Sequence, residues 1–182
     1  MSLLALVAAT LRQHRTSFAV IGAAAMAVHG FARSTEDLDL LAIDPACLDH
    51  AWWSTVSEHG VSVDVRRGDD DDPLAGVVRF MLAPEQPLDL VVGKGGWAAG
   101  VLQRAVETPL ADTTVAVATR ADLILLKLYA GGLQDAWDIR QLLALPGDVL
   151  PDVETRLGAL PARCRRLWDR ILRETTGDEP EC

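Results

Sequence analysis

The sequence predicts an α/β protein in which a first half of strands and helices is followed by a helical C-terminal half. Three observations carry this. Short apolar or alternating runs at 17–22, 37–43, 61–66, 76–82 and 87–92 read as strands bounded by turn residues. Helix-compatible segments are interspersed among them in the first half, the order expected of an α/β layer structure. From Arg120 onward the pattern is helical.

Residues 2–14 read as an amphipathic first helix. The start, MSLLALVAATLRQHR, has no basic segment ahead of its apolar part and makes a poor signal peptide. Residues 17–22 (SFAVIG) form a short apolar strand, and 23–31 an alanine-rich helix ending near His29-Gly30. After the alternating strand 37–43, the chain returns to helix from Pro45 to about Glu58, with the proline tolerated in the first turn. Strands follow at 61–66 (VSVDVR), 76–82 (GVVRFML) and 87–92 (PLDLVV), and Asp69 to Asp72 read as a solvated loop. Gly93 to Gly96 is a turn into a helix over 97–105, and 114–118 (TVAVA) is a last short strand. Helices cover 120–131, 135–144 and two stretches within 150–175. The expected organisation is a core over 1–118, a helical part over 119–175 packed on it, and a flexible tail over 176–182.

Composition narrows the function classes. The 182 residues are 49% apolar and 24% charged, an ordinary globular balance, with enough length for a real core. No apolar run reaches the roughly 20 residues that span a bilayer, so no membrane partner is expected. Cys47, Cys164 and Cys182 are odd in number, scattered and without metal-ligand spacing, which fits a reducing cytoplasm. A net charge of −9 argues against a surface that grips nucleic acid everywhere. No Ser-His-Asp or Cys-His spacing stands out for a covalent nucleophile.

The informative stretch is Asp37-Leu38-Asp39. Side chains alternate along a strand, so both carboxylates project from one face, about 7 Å apart along the backbone. Hard cations such as Mg²⁺ use one or two such carboxylates together with substrate phosphates. A half-buried sheet with acids on its outer face explains the same pattern. Asp89, in Leu88-Asp89-Leu90, repeats the apolar-acid-apolar motif and shifts the balance. If its strand lies beside 37–43, three carboxylates converge and need a cation to offset their repulsion. Upstream, Gly22-Ala23 sits where a strand turns into a helix, and small residues there admit a phosphate to the backbone N–H groups.

Gly22-Ala23, His29-Gly30, Arg33, Thr35, Asp37-Leu38-Asp39 and Asp89 together resemble the nucleotidyltransferase superfamily of DNA polymerase β type. The resemblance is narrower still to its small bacterial branch of abortive-infection toxins and antibiotic-modifying enzymes. That branch also carries a Lys-x-x-Ala-Gly segment followed by Asp-x-x-Asp-Ile, here Lys127 to Gly131 and Asp135 to Ile139. Ala23 departs from the usual Gly or Ser, keeping the turn small but removing a hydroxyl. The resemblance implies a metal-dependent transfer of a nucleoside monophosphate from a nucleoside triphosphate, such as ATP, to an acceptor: a small molecule, an RNA end such as tRNA, or a protein. It implies a nucleotidyltransferase-like mixed β-sheet flanked by helices, with two Mg²⁺ ions, Mn²⁺ being the alternative, on Asp37, Asp39 and Asp89 at its active face. Gly22, Ala23, Arg33, Thr35 and Lys127 become substrate-binding candidates, with Asp135 and Asp138 behind them. A toxin role would add a cognate antitoxin as partner. The competing reading is an inactive nucleotidyltransferase-like module that binds nucleotide or a partner.

Each supporting residue has a structural alternative. Lys127, in an apolar helix, either snorkels to solvent or contacts phosphate. Arg33 meets the triphosphate or pairs with Glu36 or Asp37. Asp135 suits a helix cap, and Asp138 either pairs with a neighbouring base or faces the site through Lys127. His29 suits a helix end. Gly93-Lys94-Gly95-Gly96 lacks the Ser or Thr of a phosphate loop. The arginines at 163, 165, 166, 170 and 173 read as the solvated face of an amphipathic helix or as an acceptor-binding surface.

Overall fold

A computed structural model of the chain describes residues 1–34 and 37–176. Among them, eight α-helices accompany a seven-stranded mixed sheet. The strands are β1 (Phe18–Ile21), β2 (Leu38–Ala42), β3 (Ser62–Arg67), β4 (Leu74–Met81), β5 (Leu88–Gly93), β6 (Val106–Leu110) and β7 (Thr113–Val117). Their order across the sheet is β3-β4-β5-β2-β1-β7-β6. β2 runs parallel to β5 and β1 parallel to β7, while the remaining pairs are antiparallel.

Local chemistry starts each helix. In α1 (Leu3–Gln13) the Ser2 hydroxyl accepts the Ala5 N–H at 3.1 Å, and Leu3, Leu4, Leu6, Val7 and Leu11 are buried. α2 (Gly22–Val28) follows β1 directly, and α4 (Gly96–Arg104) follows β5 through a short glycine turn. Thr119 caps α5 (Arg120–Ala130) by accepting the Asp122 N–H, and α6 (Leu133–Ala144), α7 (Leu150–Leu157) and α8 (Ala162–Thr176) complete the helical part.

The expected helix over 45–58 is replaced by two 3-10 turns, Pro45–Leu48 and His50–Trp53, and a short α3 (Ser54–Glu58). Two aspartates are the cause: Asp44 accepts the Ala46 N–H at 2.9 Å and Asp49 the Ala51 N–H at 3.0 Å. Each restarts the chain before a longer helix can propagate. This swings Trp53 into the core, where its indole N–H donates to Cys47 O at 2.8 Å and its ring meets Phe80 edge-on at 4.7 Å. β6 was not anticipated either. Its Pro109 is tolerated because β6 is an edge strand.

The sheet has two unlike faces. Leu40, Val78, Phe80, Leu88, Leu90 and Val92 are fully buried on one. The alternating positions Asp39, Val77, Arg79, Asp89 and Val91 are half-buried on the other, and this second face carries the charged side chains.

Candidate active site

Strand register builds the site. Asp39 on β2 lies directly opposite Asp89 on the parallel strand β5, and opposite Ile21 on β1. Asp89 in turn faces Arg79 on β4, and Arg79 faces Asp64 on β3. A single row, Asp64–Arg79–Asp89–Asp39–Ile21, therefore crosses five strands on one face. Asp37, two residues before Asp39, joins the same face. The three predicted acids are thus brought to one patch.

Arg79, which the sequence reading did not single out, sits among them. Its Nε donates to Asp89 Oδ1 at 2.8 Å, and its Nη2 donates to Asp89 Oδ2 and Asp37 Oδ2, each at 2.9 Å. These contacts push the guanidinium pKa further up. The available signal was a lone arginine at an alternating position of an otherwise apolar strand, Val77-Val78-Arg79-Phe80-Met81.

Asp39 lies outside this fork. Burial, then the charges of Asp89 and Asp37, push its carboxyl up to about 6, with Lys127 and Arg33 pulling the other way. Gly22 makes room for it: a β-carbon on Gly22 would stand 2.1 Å from Asp39 Oδ2. Gly22 also has φ +63°, a left-handed conformation that suits glycine. Ala23 is buried in α2.

Lys127 reaches the site from α5. Its ammonium lies 2.5 Å from Asp138 Oδ2 and 3.1 Å from Asp135 Oδ1. Asp138 is fully buried and also meets Arg33 Nε at 3.2 Å and the Gln134 amide at 3.1 Å. Asp135 accepts the Gly132 N–H at 3.0 Å, bracing the first turn of α6. Arg33 thus pairs with Asp138. Thr35 lies outside the described residues. His29 meets Ala118 O at 2.8 Å, and the Lys94 ammonium binds the carbonyls of Asp69 and Asp72, so both tie loops together.

Beside Asp39 and Lys127 opens a cavity of about 350 Å³. Gly22, Leu41 and Val91 form its floor, and Trp97 and Tyr129 one wall, with ring centroids 4.8 Å apart. Arg163 from α8 donates to Tyr129 O at 2.7 Å and lies over that ring. The cavity is mostly apolar with charge at its edge, the character of a small-molecule site. Tyr129 and Arg163 have no periodicity that marks them for this wall.

Neither a family model nor a curated protein matches the sequence. Solved structures do match. The solution structure of the antibiotic-resistance factor ANT(2'')-Ia gives a TM-score of 0.55 at 14% identity, over 97% of this chain and 96% of that one. Its crystal structure in complex with adenylyl-2''-tobramycin gives 0.58 at 14% identity, over 92% and 96%. An antigenic nucleotidyltransferase-like protein from Paracoccidioides brasiliensis gives 0.51 at 19% identity, over 87% and 91%. The fold is that of the nucleotidyltransferases.

In this nucleotidyltransferase fold the donor chemistry suits a hard divalent ion: three carboxylates on one face, with the charged form of Asp39 disfavoured by burial and then by its neighbours' charge. Among the described residues, no three His, Cys, Asp or Glu side chains stand ready as a metal cage, and Arg79 supplies the positive charge instead. Among the described residues, no helix is long and apolar enough to cross a membrane.

Proposed function

We propose that this chain transfers a nucleoside monophosphate from a nucleoside triphosphate to an acceptor. The observation that carries the reading is Asp39 directly opposite Asp89 on parallel neighbours, with Asp37 on the same face and an aromatic-walled cavity alongside. In the reaction, an acceptor oxygen or nitrogen forms a bond to the α-phosphorus while the α–β bridging bond breaks. Pyrophosphate leaves with the bridging oxygen, and the acceptor proton passes to a base.

Asp37, Asp39 and Asp89 are the residues that would hold two Mg²⁺ or Mn²⁺ ions, which supply charge stabilisation at the attacking and leaving oxygens. Trp97 and Tyr129 offer the nucleobase a stacking wall, and Lys127 sets a cation at the cavity edge beside Asp39. Asp138 orients that lysine from behind. Of the three acids, Asp89 lines the open groove over β3 and β4 and is the candidate to receive the acceptor proton once Arg79 has left it.

The test is incubation with labelled triphosphates, Mg²⁺ and an acceptor panel of aminoglycosides, RNA ends and protein hydroxyls. The neighbour bound to adenylyl-2''-tobramycin puts small molecules first in that panel. Transfer that disappears in Asp37→Asn/Asp39→Asn supports the reading. Equal background in both proteins across the panel rejects it. The competing inactive module draws on the occupation of Asp37 and Asp89 by Arg79. Calorimetry separates the two, since tight nucleotide binding without turnover is the module's signature.

A further inference from the structure

We propose that Arg79 is a two-station internal counter-ion, holding Asp37 and Asp89 until a divalent cation displaces it toward Asp64. The inference rests on the proposed function only in taking a divalent cation as the partner of these acids.

The present station is well defined. Arg79 forks both oxygens of Asp89 and reaches Asp37, so one guanidinium offsets two of the three acids. Arginine stays protonated under all ordinary conditions, and its planar fork matches a carboxylate in a way a lysine does not. A divalent cation placed on the same carboxylate oxygens meets the positive charge of the guanidinium at close range, and the two repel. Any ion that uses both Asp37 and Asp89 must therefore compete with Arg79.

The second station comes from register. Arg79 has Asp89 directly opposite on one side and Asp64 directly opposite on the other. Cross-strand partners of an antiparallel pair stand about 5 Å apart at Cβ, within easy reach of an arginine. Asp64 is half-buried with its side chain 45% exposed, and its present partner Arg66, at 2.9 Å, is more exposed still. Such a surface pair is weak and easily shared. Arg79 and Asp89 line a groove over β3 and β4 together with Arg66, Arg67, Asp72 and Val77, and register sets Asp64 beside Arg79 on the β3 side. The Arg79 side chain is itself 36% exposed, so the swing crosses solvent and not packed core.

The arrangement has a consequence for affinity. The carboxylates are not left to repel each other before the ion arrives, and the ion binds with the cost of breaking the fork subtracted. Asp64 reduces that cost by receiving the released guanidinium.

Titration of the full chain with Mn²⁺ alone, followed by the electron paramagnetic resonance of free Mn²⁺, tests this in wild type, Arg79→Gln and Asp64→Asn. Thermal unfolding establishes that each is folded. Arg79→Gln is expected to tighten Mn²⁺ binding about tenfold, the scale of a two-pronged charged contact partly screened by solvent. Asp64→Asn is expected to weaken it about threefold by removing the second station. Should Arg79→Gln not fold, Arg79→Lys decides, with a tightening of about threefold expected because the fork is lost and the charge kept. Wild-type binding that Arg79→Gln leaves unchanged or weaker overturns the role of Arg79 and leaves the proposed reaction standing. Unchanged binding in Asp64→Asn overturns the second station. No Mn²⁺ binding in any of the folded proteins removes the inference, while the labelled-triphosphate assay decides the reaction separately, because there the ion also has substrate phosphates as ligands.

Discussion

Gly22 and Asp39 are in such close contact that the strand-to-helix turn has no room for a side chain: a β-carbon at Gly22 would sit 2.1 Å from the Asp39 carboxylate. The glycine that begins α2 therefore fixes the position of an acid on the neighbouring strand. Gly22→Ala combines this clash with the penalty of a left-handed backbone. It is expected to cost about 1–3 kcal/mol in chemical denaturation. Nucleotidyl transfer should fall by more than the folded fraction does, because the displaced group is Asp39. Unchanged stability would contradict the contact.

Asp39 makes the ion-free protein sensitive to pH. Its carboxyl is pushed up to about 6 from an ordinary 3.8, so between these values the folded chain holds the proton more tightly than the unfolded chain. The sign follows: this group's contribution to stability falls as pH rises from about 4 to about 6 and stays lost above. Asp39→Asn should therefore be more stable than wild type at pH 7 in chelator, by about 3 kcal/mol, with the gain vanishing near pH 4. Urea denaturation at the two pH values reads the difference.

Lys127 and Asp138 form a pair largely shielded from water, with Asp138 fully buried. Lys127→Met leaves that carboxylate with Arg33 as its remaining cation. The expected loss is about 2 kcal/mol, below the full penalty of an unpaired buried charge. A double-mutant cycle with Asp138→Asn should give a coupling of at least about 1 kcal/mol. In the same proteins, nucleotide affinity should drop for Lys127→Met beyond what stability explains.

The Trp97–Tyr129 wall offers π-faces on which a base can stack. Trp97→Ala and Tyr129→Ala are each expected to weaken binding of a non-hydrolysable triphosphate by about tenfold, while the same triphosphate without its base should bind both variants and wild type alike. Calorimetry distinguishes these cases. Equal loss for the base-free ligand would place the phosphates at the wall instead.

Much of this site was legible because strand alternation is a strict rule. Leu38-Asp39-Leu40 and Leu88-Asp89-Leu90 announce which face each acid takes, and the structure puts them in register. What alternation does not encode is which strands are neighbours. Arg79 was missed for that reason: its meaning depends on β4 lying beside β5, a pairing between distant segments. The segment after Pro45 failed differently. Its helical periodicity was real, but Asp44 and Asp49 offered the backbone closer partners and broke it into turns. Lys127, Asp135 and Asp138 were visible as spaced charges, yet only the fold shows that Asp138 also receives Arg33 from the other half of the chain.

That last contact bears on the moment during synthesis when the protein becomes competent. Arg33 and the acidic strands leave the ribosome well before α5 and α6, which carry Lys127 and Asp138. Until those helices emerge, the nascent sheet shows its acids to the surroundings with neither the lysine nor its buried anchor in place. A ribosome-stalled chain ending before α6 should therefore be inert toward nucleotide even with its strands formed.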